Sequence, residues 1–247
     1  MRIRMFILGM TALALLPVSC SRQQGGESLE GRVSFSLDAD GQVTEVVRSS
    51  VADYAALPQP GKFTIVLTNT SGNEIYSGLL EGYNASTALK AGNYSVSASY
   101  GSSTDEGFEK PCFTGSKTFS VAGGGETSVA IPVSLANSIV KVECSDAFES
   151  YYTDYAFSVK TGAGTVIDFP KGETRAAFVD AYTISVSGTL TNQGGKTQSF
   201  SKDYKSLSPK TSYTLKFDVS NVGGTAISIS FDDSVEDVEL TDVDLND

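Results

Sequence analysis

Three cysteines and an absence of histidine set the chemistry open to this chain. Without an imidazole there is no Ser-His-Asp or Cys-His nucleophile system and no histidine general base. Zinc sites of the usual His or Cys/His kinds lack ligands as well. A carboxylate pair or a Ser-Lys arrangement remains, and among 29 Asp and Glu residues pairs arise by chance. The reading is a non-enzymatic protein with no catalytic residue, metal or cofactor. Cys112 and Cys144 are candidates for a disulfide, which an export compartment would permit. Cys144 also ends the apolar run Ile139-Val140-Lys141-Val142-Glu143-Cys144 and reads equally as a small buried hydrophobe. Tyr151, Tyr152 and Tyr155, preceded by Phe148, form the densest aromatic cluster. Such a run either offers a stacking surface to glycans or starts a strand and packs inward. Asp105 and Glu106 lie in a glycine-bounded loop, but two acids without regular oxygen-ligand spacing read as solvated charges before calcium ligands.

The remaining cysteine, Cys20, closes a three-part leader: Arg2 and Arg4, an apolar run over residues 5–16, then Pro17-Val18-Ser19-Cys20. The apolar run is too short to span a bilayer, and the layout is that of a secretory signal. It resembles a bacterial lipoprotein signal, in which Cys20 receives acyl chains and becomes the first mature residue. Pro17 stands where such signals usually carry Leu. The alternative is ordinary cleavage near Ser19, which would release a soluble protein. Removing residues 1–19 takes away two arginines and no acid, moving the net charge from −11 to −13. So acidic a chain should neither bind nucleic acid nor be drawn to anionic headgroups. Membrane attachment is therefore expected through the acyl chains on Cys20. The resemblance places the protein in the cell envelope at the outer membrane. The residues after Cys20 lack an acidic surface-export cluster, which favours the periplasmic face.

The rest of the chain must position whatever function there is, and its pattern is strand-like throughout. Residues 21–28 are polar and glycine-rich, the composition of a tether. Beyond them, runs such as Phe63-Thr64-Ile65-Val66-Leu67, Tyr94-Ser95-Val96-Ser97-Ala98 and Tyr182-Thr183-Ile184-Ser185-Val186 alternate apolar residues with Ser or Thr. That period of two describes strands with one wet and one buried face, and glycine-rich turns separate them. The predicted fold is all-β: two tandem immunoglobulin-like or transthyretin-like antiparallel β-sandwiches. A short helix is expected near residues 51–56. The order of runs at Phe63, Tyr94 and Thr127 repeats at Phe157, Tyr182 and Tyr213, an internal duplication. The expected organisation is a signal at 1–19, a lipidated tether at 20–28, sandwiches at 29–135 and 136–232, and an acidic tail or edge strand at 233–247. Residues 232–247 carry eight acids, yet Val238-Glu239-Leu240 and Val243-Asp244-Leu245 keep an alternation.

The lipid-bearing Cys20, the stretch Leu-Lys-Ala-Gly-Asn-Tyr-Ser-Val-Ser-Ala-Ser-Tyr-Gly at 89–101, Phe108-Glu109-Lys110-Pro111-Cys112-Phe113-Thr114-Gly115 and Leu135-Ala136-Asn137-Ser138-Ile139-Val140 occur in one order. That order resembles the uncharacterised Bacteroidetes lipoprotein family called domain of unknown function 4493. Cys112 is a departure, since an aromatic residue is expected after the proline. The resemblance implies a location and a sandwich fold, and no active site. More distantly the chain is similar to fimbrillin-type pilus subunits, in which cleavage after an arginine frees a groove for a neighbour's strand. By that similarity Arg48 is a candidate processing site, and the alternating tail over residues 235–245 a candidate donor; a surface arginine in a loop is the plainer reading. Asp233-Ser234-Val235 matches the short Bacteroidetes O-glycosylation pattern, with Ser234 as acceptor. The expected function is an envelope-anchored structural or adhesion/interaction module, the alternatives being a strand-exchanging pilus-like subunit or a glycan-binding surface protein. Its partners would be the membrane and other envelope proteins or glycans.

Overall fold

A computed structural model describes residues 29–40, 42–43, 49–180, 182–219, 226–231 and 234–239. Cys20 and Arg48 lie outside the described residues. The first half holds β1 (Glu30–Asp40), β2 (Gln42–Val43), β3 (Ser49–Ser50), β4 (Thr64–Asn69), β5 (Glu74–Leu79), β6 (Leu89–Lys90), β7 (Gly92–Tyr100), β8 (Gly107–Phe108), β9 (Phe113–Val121) and β10 (Glu126–Leu135). The second holds β11 (Ser138–Cys144), α1 (Asp146–Tyr151), β12 (Tyr152–Thr161), β13 (Val166–Pro170), β14 (Ala177–Val179), β15 (Thr183–Asn192), β16 (Thr197–Lys205), β17 (Ser212–Val219), β18 (Ala226–Phe231) and β19 (Ser234–Glu239). Alternation does in space what it predicts: Tyr94, Val96 and Ala98 of β7 are buried while Ser97 and Ser99 face water.

The fold is all-β and duplicated. In the first unit β4 pairs with β5 and β7, β7 pairs with β9, and β1 pairs with β10 and β6. In the second, β12 pairs with β13 and β15, β15 with β16, and β11 with β17 and β14. Neighbouring strands are mostly antiparallel, as expected of such sandwiches. Each unit contains one parallel pair, β1 with β10 and β11 with β17. Hairpin turns join only antiparallel neighbours, whereas these pairs join strands far apart in the chain, with the intervening strands of the unit as their crossover.

The units differ at their margins. In the first, the start of β9 pairs with the end of β10, so seven strands run continuously in the order β5-β4-β7-β9-β10-β1-β6. Gly115 sits at that corner, where an added Cβ would lie 1.8 Å from the Pro132 carbonyl oxygen. In the second, β13-β12-β15-β16 forms one sheet and β19-β18-β17-β11-β14-β8 the other. The tail therefore does not hang free over Ser234–Glu239: it is the edge strand of its own unit, paired antiparallel with β18. The donor role expected for residues 235–245 is corrected over that part, because its backbone groups are already in a ladder. The expected helix near 51–56 is a single 3-10 turn, Val51–Asp53, closed by a Ser50/Asp53 capping box. α1 was not foreseen; Ser145 caps it, its Oγ accepting from the Phe148 N–H at 3.1 Å.

β10 ends at Leu135 and β11 begins at Ser138, but the cores do not part there. β8, from the first half, adds to β14 of the second, with Gly107 opposite Phe178 and Phe108 opposite Ala177. Ile139, Ala176 and Phe178 then fill the first core, while Val140, Ala177 and Val179 fill the second. Asn137 pins the junction: its Oδ1 accepts from the Cys112 N–H, and its carbonyl accepts from the Lys210 N–H at 2.7 Å.

Candidate functional site

The residues singled out for chemistry are mostly occupied by structure. Cys112 and Cys144 are free thiols, which corrects the disulfide reading. Cys112 is buried at the junction beside Asn137, whereas Cys144 ends β11 and packs on the second core. The tyrosine cluster is corrected too. Tyr152 is 0% and Tyr155 5% exposed, and Tyr151 is half-buried against the same core. Phe148 explains why: α1 carries it into the core, with ring centroids 4.7 Å from Tyr152 and 5.3 Å from Tyr155. The aromatic rings needed for a glycan platform are spent on the sandwich end. Asp105 forms an ion pair with Lys110. Glu106 is buried and accepts from Thr161 Oγ1 at 2.6 Å and from the Asp180 N–H at 2.8 Å, both in the second unit. Ser234 opens β19.

Tertiary structure creates a different feature, a cleft of about 450 Å³ in the second unit. Val142 and Cys144 of β11 form one wall, and Pro170, Gly172 and Thr174 another. Phe157 and Phe169, both almost fully buried, border it from the core side, with Glu143, Glu149 and Glu173 among its lining residues. The Tyr155 hydroxyl donates to Glu149 Oε1 at 2.9 Å. Burial, reinforced by that hydrogen bond, pushes the Tyr155 phenol up. Burial likewise pushes the Cys144 thiol up to about 11. The Arg175 guanidinium, bonded to Glu173 at 2.8 and 3.0 Å, holds that carboxyl down at about 2. These shifts move each group away from neutrality, the reverse of what a general acid or base or a nucleophilic thiolate requires. The cleft residues gave no sequence signal because they come from strands that only the sheet order brings together.

A search of the curated proteins finds no significant match. Among solved structures, the chain is similar to a protein of Bacteroides uniformis provisionally named for cell adhesion, with 12% identity over 83% of this chain and 97% of that one and a TM-score of 0.47. It is similar to proteins of Bacteroides thetaiotaomicron provisionally named for polysaccharide binding, with 13% identity over 86% and 99% and a TM-score of 0.41. It is also similar to the fimbrial anchor protein Mfa2 of Porphyromonas gingivalis, with 11% identity over 83% and 98% and a TM-score of 0.34. Residues 29–246, both sandwiches and their junction, match the domain of unknown function DUF4493, and the chain belongs to that family.

Proposed function

We propose that this chain is a non-enzymatic structural or interaction module of the cell envelope, tethered by acyl chains on Cys20. One observation carries the reading: the two sandwiches are fused across their junction. A strand of the first completes a sheet of the second, and residues of the second fill the core of the first. A body with shared core residues resists hinging between its two halves, as a spacer or scaffold must. Labelling cells with a fatty-acid analogue tests the anchor. Wild type should incorporate label and sediment with membranes; Cys20→Ala should do neither. Equal labelling would remove the tether. Turnover of a glycan or peptide by purified protein, abolished by replacing one carboxylate, would remove the non-enzymatic reading.

A second reading, a pilus-like subunit opened by cleavage after Arg48, is favoured by the place of β1. That strand meets β10 over nine residue pairs and β6 over only two. Its loss would uncover Val129, Ile131 and Val133 in the first core. Cutting after Arg48 and finding only monomers on a non-boiled gel would end this reading.

A further inference from the structure

Both parallel pairs lie across the path that tension would take through the chain. The chain enters the first unit at β1 and leaves it at β10, and the register sets Arg32 opposite Glu126 and Asp40 opposite Ser134. Entry and exit are therefore at opposite ends of the pair. Pulling Leu29 away from Leu135 slides β1 along β10 and loads their hydrogen bonds together. The Arg32 N–H donates to the Gly125 carbonyl at 2.9 Å, and alternation turns the N–H groups of Ser34, Ser36 and Asp38 the same way. In the second unit the chain enters at β11, with Ile139 opposite Ser212 and Cys144 opposite Phe217. The N–H groups of Ile139 and Ser145 donate to the Thr211 and Phe217 carbonyls. Tension that enters at Ser138 and leaves beyond Val219 shears this pair as well. An antiparallel pair would put entry and exit at the same end, where tension opens bonds one at a time.

The points where tension would enter and cross are fastened. The Leu29 carbonyl accepts from the Ala91 N–H at 2.6 Å and the Glu30 carbonyl from the Gly124 N–H at 2.8 Å. Between them Gly31 is packed so closely that an added Cβ would lie 2.4 Å from the Ala122 carbonyl oxygen. Only Ala136 and Asn137 separate β10 from β11, so no slack linker lies between the two pairs. Ala136 donates its N–H to the Cys112 carbonyl at 2.7 Å, and the Asn137 side chain accepts from the Cys112 N–H. On the other side the Asn137 carbonyl accepts from Lys210, just ahead of β17.

We infer that the chain is a load-bearing link, which carries tension between its membrane tether and a load held beyond β17 through two shear-loaded parallel pairs in series. Rupture under load is governed by the unfolding barrier and not by equilibrium stability. The direction in which the closing pairs are pulled therefore sets how much force the module withstands. The inference deepens the reading of the chain as a tethered structural module and rests on it for the source of the tension. Its test uses purified, unlipidated protein, so a failed anchor and a failed clamp are separate results. It belongs to the uncut chain, because cleavage after Arg48 would remove β1.

The test stretches single molecules between a handle ahead of Leu29 and a second handle moved from one end of β10 to the other. Ser134→Cys loads the pair in shear and Glu126→Cys peels it, both with Cys144→Ala so that only the buried Cys112 remains beside the handle. Rupture in shear should need about threefold more force than in peeling, where bonds open in turn. Ser36→Pro, on the exposed face of β1, removes a donor to β10 and should lower the shear force to about half. Val96→Ala, in the same core but outside the pair, should lower the urea midpoint and leave the shear force within its scatter. If Ser36→Pro does not fold, the comparison of the two handle positions decides alone. Equal forces in the two directions, or a shear force that follows the urea midpoint from variant to variant, would overturn the proposal.

Discussion

Glu106 and Thr161 are 55 residues apart in the chain, yet Thr161 Oγ1 donates to Glu106 Oε2 at 2.6 Å across the junction. The other carboxylate oxygen accepts from the Asp180 N–H, so one buried side chain of the first unit closes two donors of the second. The adjoining β8 continues the contact: Phe108 packs edge-on against Phe169 at 5.1 Å, and the Arg175 guanidinium lies over the Phe108 ring, 4.4 Å from its centroid. We predict that Glu106→Ala costs about 1–3 kcal/mol, the penalty for leaving buried donors without an acceptor. Urea unfolding should show a lower midpoint; an unchanged midpoint would mean the clasp contributes nothing.

Phe178 belongs by sequence to the second sandwich and by packing to the core of the first. Phe178→Ala should destabilise by about 3–5 kcal/mol, as for other fully buried aromatics. Amide exchange locates the effect. Val96 and Ala98 of β7, far away in sequence, should exchange faster in the variant. Acceleration confined to the second unit would contradict the shared core.

The Glu173–Arg175 pair gives a pH dependence whose sign is fixed. Hydrogen bonds from Arg175 depress the folded carboxyl from an ordinary 4.5 to about 2. Its stabilisation is therefore present above about pH 4.5 and lost as pH falls toward 2, where the unfolded chain binds the proton first. Thermal melts between pH 5 and 2 should fall less steeply for Glu173→Gln than for wild type. Parallel curves would show that this pair at the surface of the second unit does not contribute.

Gly115 is required by close approach. A side chain there would meet the Pro132 carbonyl at 1.8 Å, a backbone atom that cannot swing aside. Gly115→Ala should cost about 3 kcal/mol by forcing β9 and β10 apart. By contrast, Gly72→Ala has open space around its Cβ and pays only for a φ of 78°. Comparing the two melts separates crowding from backbone strain, and equal losses would refute the crowding at the β9 corner.

Strand positions and the duplication were legible in the sequence because period-two alternation is local. Tyr94-Ser95-Val96-Ser97-Ala98 encodes which face is wet whatever its neighbours are. The repeated order at Phe63, Tyr94 and Thr127 and at Phe157, Tyr182 and Tyr213 maps onto β4, β7 and β10 and onto the segments that form β12, β15 and β17. The missing histidine excluded whole classes of chemistry without any coordinates. Pairing partners were not legible, because hydrogen bonds between strands carry no residue-type label. Sequence therefore could not choose parallel β1–β10 and β11–β17, nor send β8 across to β14. One trace of the junction was present: the unbroken apolar stretch Ala176-Ala177-Phe178-Val179 marks a strand buried on both faces. The tyrosine cluster and the two cysteines were ambiguous for the same reason, since an aromatic or thiol side chain has the same sequence whether it faces a core or a ligand. Only the packing of Phe148 beneath Tyr152 and Tyr155 decided which surfaces were closed.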